Sequence, residues 1–313
     1  MSKNFALIGA AGYIAPRHMR AIKDTGNNLI AALDPFDSVG IIDSFFPEAD
    51  FFTEPERFDR HLDKLRRAGT NKIDYVSICS PNYLHDAHIR LALRNDADAI
   101  CEKPLVLNPW NLDNLSVIEK ETGRKINTIL QLRLHPSIIE LKKNIDSLPS
   151  DKMHDVELTY ITSRGKWYHY SWKGNITKSG GVYTNIGIHF FDMLSWIFGD
   201  VKKNVIHLKE KDKAAGLLQL KKANVKWFLS LDSSDLPEQA LKNNQPTFRS
   251  INIDGNEVEF SGGFTDLHTE SYKQILLNKG FGLEDARNSI EIVHNIRVAV
   301  PTGPKGEYHP FLR

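Results

Sequence analysis

Lys103 has a residue type and a setting that suit acid–base or electrostatic chemistry. It stands in the stretch Ile100-Cys101-Glu102-Lys103-Pro104, directly after an apolar run that predicts a buried parallel strand. Ligands of open α/β sheets bind outside the carboxyl ends of the strands, and Pro104 restricts the backbone of Lys103 to extended conformations. The pattern therefore predicts an ammonium group presented at a ligand-binding edge. A solvated lysine at an ordinary strand end is the alternative that this short motif leaves open.

A second candidate group lies between Ser179 and Asp192. There the pair Gly180-Gly181 leads into a predicted helix that carries Asn185 and His189 four residues apart, and therefore on one face. The positive end of a helix dipole disfavours imidazolium, so this position favours a neutral His189 that can accept a proton. A structural histidine among apolar neighbours, and an asparagine that merely starts the helix, are the alternatives.

The segment from residue 163 to residue 174 alternates cations with aromatic residues and glycines. Its candidate ligand-binding side chains are Arg164, Trp167, Tyr168 and Lys173. Aromatic rings of this kind can stack on a base or a nicotinamide, and the cations can pair with a carboxylate or a phosphate. A loop packed at a domain or subunit interface is an equally good interpretation.

The first 34 residues predict a dinucleotide-binding βαβ unit. A short apolar strand, Phe5–Gly9, runs into a glycine-rich turn that contains Gly12, then into a helix reaching Thr25 and a second strand ending at Asp34. The glycines allow the backbone to approach a pyrophosphate, and the helix N-terminus offers free N–H groups to that anion. The two glycines stand three positions apart and Ala15 takes the last place, which departs from the common Gly-x-Gly-x-x-Gly pattern.

Asp34 indicates which dinucleotide binds. It falls 22 positions after Gly12, near the spacing of a ribose-binding acid. A carboxylate there accepts hydrogen bonds from the ribose 2′-hydroxyl and repels a 2′-phosphate. No Arg or Lys follows between Pro35 and Ile42 to receive such a phosphate. The sequence therefore predicts NAD as the cofactor.

Strand and helix signals alternate over residues 1–132, which predicts an α/β fold with a doubly wound parallel sheet, a Rossmann domain that binds NAD. Residues 133–313 are richer in strands and predict an α+β domain on a mostly antiparallel open sheet, for substrate binding and oligomerisation. The predicted strands are Phe5–Gly9, Leu29–Leu33, Asp50–Thr53, Tyr75–Cys79, Ala97–Cys101, Ile126–Leu132, Val156–Thr162, Val201–Leu208, Gly216–Lys221, Val225–Asp232, Phe248–Asp254 and Glu257–Phe260. The predicted helices after the first are one ending near Arg94, Pro55–Ala68, Pro109–Glu121, Ser137–Leu148, Thr184–Phe198, Asp266–Asn278 and Leu283–Val298.

The composition is that of an ordinary globular protein. The 313 residues are 41% hydrophobic and 25% charged, with a formal net charge of +1, which gives no electrostatic case for a nucleic acid or an anionic membrane as partner. Cys79 and Cys101 lie in apolar runs and predict reduced core thiols, with no disulfide and no metal site. The N-terminal residues lack the signal-peptide pattern, so a cytoplasmic location is expected.

Taken together, these motifs resemble the glucose–fructose oxidoreductase and inositol dehydrogenase (Gfo/Idh/MocA) family over nearly the whole chain. The resemblance implies that Lys103 and His189 are catalytic, with Asn185 in the place where most members have an aspartate. Asparagine cannot ionise, which suits a substrate that is already anionic. The implied cofactor contacts are Gly9, Gly12, Tyr13, Ile14, Asp34, Ser80, Asn82, His85, Glu102, Lys103, Gln131 and Trp167, and the substrate-binding candidates are Lys103, Arg164, Tyr168, Lys173, Asn185 and His189.

The longer strings from Ala6 to His18 and from Gly181 to Asp192 resemble one branch of this family, the bacterial UDP-N-acetyl-2-amino-2-deoxyglucuronate 3-dehydrogenases of surface-polysaccharide (O-antigen) synthesis. The branch implies NAD-dependent oxidation of the C3 hydroxyl of a UDP-linked sugar acid to a 3-keto sugar, by a homotetramer or homodimer. Another sugar or inositol dehydrogenase, a glycosidase that uses transient oxidation, and a non-catalytic NAD(H)-binding sensor are the alternatives.

The chemistry expected of such an enzyme needs a base for the hydroxyl proton and a group that stabilises the developing alkoxide. We expect the alcohol to be held between Lys103 and His189, with His189 as the general base and Lys103 hydrogen-bonded to the same oxygen. Asn185 would orient the substrate or Lys103. The two main roles can be exchanged, because partial burial and nearby cations can lower the pKa of a lysine toward neutrality. A sensor has no need of both residues, so their pairing favours an enzyme.

Overall fold

The structure is a computed structural model that describes residues 2–258 and 266–312. The chain divides into two compact units, residues 1–134 with 265–287 and residues 135–264 with 288–313. The first division lies two residues beyond the predicted boundary at 132, but the prediction of a single second domain over 133–313 missed the return of the chain to the first unit. Hydrophobic periodicity does not show which core an amphipathic helix packs on, so this return left no local signal.

The first unit contains the predicted doubly wound parallel sheet. Its strands are β1 Asn4–Ile8, β2 Asn28–Leu33, β3 Asp50–Phe52, β4 Tyr75–Ile78, β5 Asp98–Cys101 and β6 Ile126–Thr128. They run in the order β3-β2-β1-β4-β5-β6 among the described residues, and every neighbouring pair is parallel. The helices that connect these strands are α1 Ala15–Asp24, α2 Pro55–Ala68, α3 His85–Arg94 and α4 Pro109–Thr122.

Helix ends in this unit follow from proline and glycine placement. Helices α2 and α4 each begin with a proline, whose fixed φ suits the first helical position. They end at Gly69 and Gly123, which have left-handed φ values of 68° and 66° that glycine adopts without steric cost. The predicted bounds of α2 are confirmed, and those of α4 differ by one residue.

The predicted strand Ile126–Leu132 is shorter in the structure. Strand β6 ends at Thr128, and a 3-10 turn covers Gln131–Leu134. The backbone N–H of Thr128 donates to the carbonyl of Phe281 at 2.8 Å, so the returning segment pairs at the end of this strand. Ile129, Leu130 and Leu132 are nonetheless buried, and a short apolar run does not distinguish a buried strand from a buried turn.

The returning segment carries helix α10, Leu267–Leu276, which packs on the core of the first unit. The Tyr272 ring of this helix is fully buried and stacks on Phe5 of β1 with ring centroids 5.8 Å apart. Phe5 also stacks on Tyr75 of β4, with ring centroids 5.1 Å apart. Two central strands are therefore joined to a helix that lies near the other end of the chain.

The second unit has an open mixed sheet. Its strands are β7 His154–Thr162, β8 Val201–Lys209, β9 Lys213–Leu220, β10 Ala223–Ser230, β11 Thr247–Ile253 and β12 Asn256–Glu257. They run in the order β12-β11-β7-β10-β9-β8 among the described residues. Strands β7 and β10 pair in parallel, and the other pairs are antiparallel, as the predicted mostly antiparallel α+β domain requires. Its α-helices are α5 Pro136–Asp146, α6 Lys166–Tyr170, α7 Ile176–Ser179, α8 Ile188–Phe198 and α9 Glu238–Lys242. Helix α11, Leu283–Val298, belongs to this unit from residue 288 onward.

Helices α5 and α8 pack on one another, and Phe191 of α8 meets Trp227 of β10 edge to face at 5.2 Å. The helix predicted over Thr184–Phe198 begins differently, because a π-helical turn covers Tyr183–Gly187 before α8. A Cβ atom at Gly187 would lie 2.6 Å from Leu229, so the turn packs its backbone directly on the sheet. Helical periodicity does not distinguish such a widened turn from an α-helical one.

The short helices α6, α7 and α9 were not predicted, because four or five residues are too few to show a helical period. The predicted strand Glu257–Phe260 is represented by β12, and its last two residues lie outside the described part of the chain. No helix in the described ranges is both long and apolar enough to cross a membrane.

Candidate functional site

The predicted cofactor residues of the first unit lie after the carboxyl ends of neighbouring parallel strands. The glycine-rich turn follows β1, Asp34 follows β2, Ser80 and Asn82 follow β4, and Lys103 follows β5. Because all these strands are parallel, the segments share one edge of the sheet. This is the edge at which doubly wound folds bind their ligands.

The glycine-rich turn is held against the neighbouring strand. Gly9 has a φ of +89°, and a Cβ atom there would lie 2.7 Å from the backbone of Cys79 and of Ser80. Gly12 closes the turn by donating its N–H to the carbonyl of Gly9 at 3.0 Å. Helix α1 then begins at Ala15, so its N-terminal N–H groups follow the turn directly. The backbone has the tight path that a pyrophosphate-binding turn needs.

Asp34 joins this turn to the end of β2. One carboxylate oxygen accepts the N–H of Ala11 at 2.9 Å, and the other accepts the N–H of Phe36 at 3.0 Å. Each carboxylate oxygen can accept more than one hydrogen bond, so acceptor capacity is left for ribose hydroxyl groups. The predicted ribose-binding acid therefore also fixes the conformation of the predicted pyrophosphate-binding turn, and the donor and acceptor set fits NAD.

The segment after β4 uses its polar groups within the protein. The Ser80 hydroxyl lies 2.8 Å from Nδ1 of His88. His85 is buried, and its Nδ1 and Nε2 lie 2.7 Å from the Pro104 carbonyl and 2.8 Å from the Ser80 carbonyl. Both ring nitrogens thus face backbone oxygens, and the ring links the segments that follow β4 and β5. A neutral imidazole donates to only one of these two oxygens. The contact of His85 with the cofactor stays a prediction.

Lys103 is half-buried and precedes a cis peptide bond to Pro104. The side chain of the preceding Glu102 is turned inward, where one oxygen lies 3.0 Å from His18 Nε2 and 2.8 Å from His268 Nε2. Its other oxygen accepts the backbone N–H of Lys103 at 3.2 Å. Glu102 was predicted to contact the cofactor, whereas the bonds in the structure tie it to helices α1 and α10.

The protonation states of Glu102 and His18 follow from the surroundings of their side chains. Burial raises the pKa of Glu102, but the hydrogen bonds from His18 and His268 together outweigh it and hold the pKa well below its usual range. Burial lowers the pKa of His18 by more than its bond to Glu102 raises it. The group therefore consists of an ionised carboxylate and a neutral His18 imidazole.

Four predicted substrate residues of the second unit, Arg164, Tyr168, Lys173 and Asn185, fall into one local group. The Asn185 side-chain amide donates to the Tyr168 hydroxyl at 3.0 Å, and burial raises the pKa of Tyr168. Lys173 Nζ lies 5.2 Å from the centre of the Trp167 ring and 5.9 Å from that of Trp172, as in a cation–π contact. Burial, followed by the charge of Arg164, lowers the pKa of Lys173.

His189 lies in the first turn of α8, directly after the π-helical turn that carries Asn185. Its neighbours Ile188 and Phe190 are buried, whereas His189 is only half-buried. His189 is therefore less enclosed than the apolar residues on either side of it in the helix. Trp167, predicted to contact the cofactor, lies in the second unit and is 55% exposed. Gln131 lies in the 3-10 turn after β6, and its predicted cofactor contact stays a prediction, as does that of Trp167.

Sequence reasoning missed the group around Glu102, which we call the Glu102 network and define as Ser77, Tyr272, His18, Glu102 and His268. In the sequence, His18 stands out only as the last residue of the string from Ala6 to His18, and His268 belongs to no motif. Glu102 and His268 are 166 positions apart. No spacing rule connects residues at that separation, so only the fold reveals the contact.

Two family models match the chain. Residues 3–129 match the oxidoreductase family with an NAD-binding Rossmann fold, and residues 144–239 match the C-terminal alpha/beta domain of the same family. Among curated proteins, the inositol 2-dehydrogenase of Rhizobium meliloti is 27% identical over 203 residues, which are 64% of this chain. The match spans 56% of that protein, so the chain aligns with only about half the length of this relative.

Solved structures resemble the chain over nearly its full length. The WlbA (WbpB) dehydrogenase from Thermus thermophilus, in complex with NAD and alpha-ketoglutarate, is 51% identical with a TM-score of 0.96, and the match covers 99% of both chains. The same enzyme in complex with NAD and UDP-GlcNAcA is 50% identical, with a TM-score of 0.95 and 99% coverage of both chains. The WlbA dehydrogenase from Bordetella pertussis, at 18% identity and a TM-score of 0.77, shares the fold.

Proposed function

The chain belongs to the Gfo/Idh/MocA family of NAD-binding oxidoreductases, and on that premise we propose that it oxidises a secondary hydroxyl of UDP-N-acetyl-2-amino-2-deoxyglucuronate, UDP-GlcNAcA. The observation that carries the proposal is the half-identical Thermus enzyme, matched over 99% of both chains and bound to NAD and UDP-GlcNAcA. The hydroxyl is that of C3 and the product is the 3-keto sugar. The reaction belongs to the synthesis of surface-polysaccharide sugars.

The charges of the second unit support an anionic substrate. Arg164 and Lys173 act on one another electrostatically, and Lys173 is held over two indole rings. A guanidinium can bind a carboxylate through two parallel hydrogen bonds, and we assign this role to Arg164. Asn185 adds no negative charge beside these cations, whereas an aspartate there would repel a sugar carboxylate. Its bond to Tyr168 fixes the amide for contact with the substrate.

Oxidation of the alcohol removes a proton from oxygen and a hydride from carbon. Bound NAD supplies the hydride acceptor. We assign the proton to His189, because an imidazole accepts a proton near neutral pH. The ammonium of Lys103 hydrogen-bonds the same oxygen and stabilises the negative charge that develops there. The reverse assignment of the two roles is the alternative, and replacement of each residue by alanine tests whether both are required.

The test is a substrate panel with the purified protein. UDP-GlcNAcA, UDP-N-acetylglucosamine, myo-inositol and glucose are each incubated with NAD, with and without 2-oxoglutarate, which is bound together with NAD in the Thermus enzyme. NADH absorbance and the product mass are recorded. We expect turnover of UDP-GlcNAcA with loss of two hydrogen atoms from the sugar. Turnover of inositol or glucose alone assigns the chain to another dehydrogenase of the family, and tight NAD(H) binding with no turnover assigns it to a sensor.

Replacement of Arg164 tests the recognition of the carboxylate. Because a hydrogen bond to a charged group contributes about 1.5–3 kcal/mol, Arg164→Ala should lower kcat/KM for UDP-GlcNAcA by roughly 10- to 100-fold. Use of the neutral UDP-N-acetylglucosamine should change far less. Lys166→Ala removes another exposed cation from the same segment and is the matched control. Equal losses for the acid and the neutral sugar would remove Arg164 from this role.

A further inference from the structure

The carboxylate of Glu102 connects three elements of the first unit at the point where Lys103 leaves the sheet. Glu102 is 8% exposed, and its carboxylate bonds to His18 on α1 and His268 on α10, as well as to the backbone N–H of Lys103. His18 and His268 are themselves buried, at 0% and 4% exposure. Water therefore has little access to this carboxylate, and its orientation is set by protein groups.

The hydrogen atoms of the Glu102 network have one consistent arrangement. An ionised carboxylate only accepts hydrogen bonds, so His18 and His268 both donate from Nε2. A neutral His18 must then accept at Nδ1, and the hydroxyl of Tyr272, 2.8 Å away, donates to it. The Tyr272 oxygen in turn accepts from Ser77, whose Oγ lies 2.6 Å away. The chain of donated hydrogen bonds therefore leads from Ser77 in β4 through Tyr272 in α10 and His18 in α1 to Glu102, which follows β5.

This arrangement bears on Lys103 because Glu102 is its neighbour in the chain. On one side Glu102 is held by the two histidines, and on the other side the carbonyl of Pro104 lies 2.7 Å from the His85 ring. The backbone on both sides of Lys103 is thus fixed by buried side chains. Neither family model covers α10, since the matches end at residue 129 and at residue 239.

We infer that His268 is a positioning residue for Lys103, which it holds through Glu102, and that the returning helix α10 is thereby part of the apparatus for the reaction. The inference rests on the proposed function, because it assigns Lys103 a role in that chemistry. Replacement of His268 removes one of the two histidine donors of a buried carboxylate, whose third donor is the backbone N–H of Lys103. Glu102 then moves or takes up a proton. The backbone from which the Lys103 side chain extends is no longer held in place, so the position of the ammonium group is less well defined.

The experiment compares His268→Leu and His268→Gln with Ser271→Ala. Ser271 is a buried residue of the same helix whose hydroxyl donates to the Leu267 carbonyl, so its replacement measures a purely structural loss. We expect His268→Leu to lower kcat for UDP-GlcNAcA at least about tenfold, as loss of a positioned group does, with little change in NAD affinity. Its acid limb in the kcat–pH profile should move to higher pH. Glutamine restores one N–H donor and should recover most of the loss.

A second readout does not need turnover. Acylation of Lys103 across pH, followed by mass spectrometry of the peptide that contains it, reports the local pKa and access of the ammonium. We expect this profile to change in His268→Leu and not in Ser271→Ala. If the wild-type protein turns over no substrate but the labelling profile changes, the proposed function fails and the positioning role stands. Unchanged kcat, pH profile and labelling in a folded His268→Leu protein would overturn the inference.

The same cluster has the composition of a metal site, because His18, Glu102 and His268 each offer a ligand atom within 4.8 Å of the others. The hydrogen bonds from Ser77 through Tyr272 to His18 favour protons between these three side chains, and not a bound metal ion. Metal analysis of the purified protein decides between them. One equivalent of Zn²⁺, lost together with activity on chelation and absent from His268→Leu, would overturn the positioning role.

Discussion

Asp34 combines two tasks that are separable by substitution. Its carboxylate accepts the N–H groups of Ala11 and Phe36, which fixes the nucleotide turn, and its charge excludes a 2′-phosphate. An asparagine side chain at this position keeps an acceptor oxygen and removes the charge. Asp34→Asn should therefore weaken NAD binding modestly and strengthen NADP binding, because the repulsion of the 2′-phosphate is lost. We expect the NADP-to-NAD ratio of Kd to fall at least about tenfold, the effect of about 1.4 kcal/mol.

Fluorescence titration with both reduced cofactors measures this ratio. Asp37→Asn is the control, because Asp37 also lies in the segment after β2 but its exposed carboxylate does not accept the N–H groups that hold the turn. Equal binding of NAD and NADP by the wild-type protein would contradict the assignment of Asp34.

Lys103 and His189 are each expected to be essential for turnover. A positioned acid–base group contributes about 10²- to 10⁴-fold in rate, so Lys103→Ala and His189→Ala should each lower kcat at least about 100-fold while NAD still binds. Lys103→Arg should not recover activity, because a broad planar guanidinium does not replace a compact ammonium. Steady-state kinetics with NAD titration checks both statements. Near-normal turnover in either folded alanine variant would refute the mechanism.

At the scale of elements, the glycine turn after β1 depends on a close backbone contact. Gly9 and Gly26 both have left-handed φ values, 89° and 73°, but a Cβ atom at Gly9 meets backbone at 2.7 Å while one at Gly26 has open space. Gly26→Ala should cost about 1–2 kcal/mol of unfolding free energy, the strain of that conformation alone. Gly9→Ala should cost at least about 2 kcal/mol more, since overpacking adds to the strain.

Urea unfolding of the two variants measures the difference, and NAD titration shows whether the turn still binds. Similar destabilisation by the two substitutions would mean that the turn can move away from β4. In that case the tight path assigned to the nucleotide turn would be wrong.

The elements that the sequence predicted well are those with strong local signals. A buried strand leading into a glycine turn, and prolines and glycines at helix ends, specify β1, α2 and α4 through steric effects within a few residues. The 3-10 turn after β6 and the π-helical turn before α8 were missed, because burial in tertiary contacts decides them. At the site, Asp34 and Lys103 could be identified from the sequence because each directly follows a predicted strand. The contact of Glu102 with His268 depends on the return of the chain to the first unit, which no local pattern encodes.

At the scale of the whole molecule, buried neutral histidines set the response to acid. Burial lowers the pKa values of His18 and His85, and it lowers those of His88 and His309 to about 4. An unfolded chain protonates its histidines near pH 6.5, while these folded ones stay neutral to lower pH. Their stabilising contribution is therefore complete above pH 6.5 and is lost as the pH falls through the folded pKa values. Stability should decline from pH 6.5 to about pH 4.

His309 offers the clearest single test of this decline. Its Nδ1 accepts the N–H of Phe311 at 3.2 Å, its Nε2 lies 2.9 Å from the Thr159 hydroxyl, and its ring stacks on Phe228 at 5.6 Å. A neutral imidazole with its proton on Nε2 satisfies both bonds, whereas an imidazolium would place a proton against the N–H of Phe311. A pKa of about 4 in place of 6.5 corresponds to a loss of unfolding free energy on the order of 3 kcal/mol on acidification.

The variant His309→Gln cannot take up that proton. We expect it to be less stable than the wild type at pH 8, because the ring stack is lost, but to lose roughly 3 kcal/mol less between pH 7 and pH 4. Urea unfolding at a series of pH values separates the two effects, and parallel pH curves for the two proteins would show that His309 titrates alike in the folded and unfolded chain.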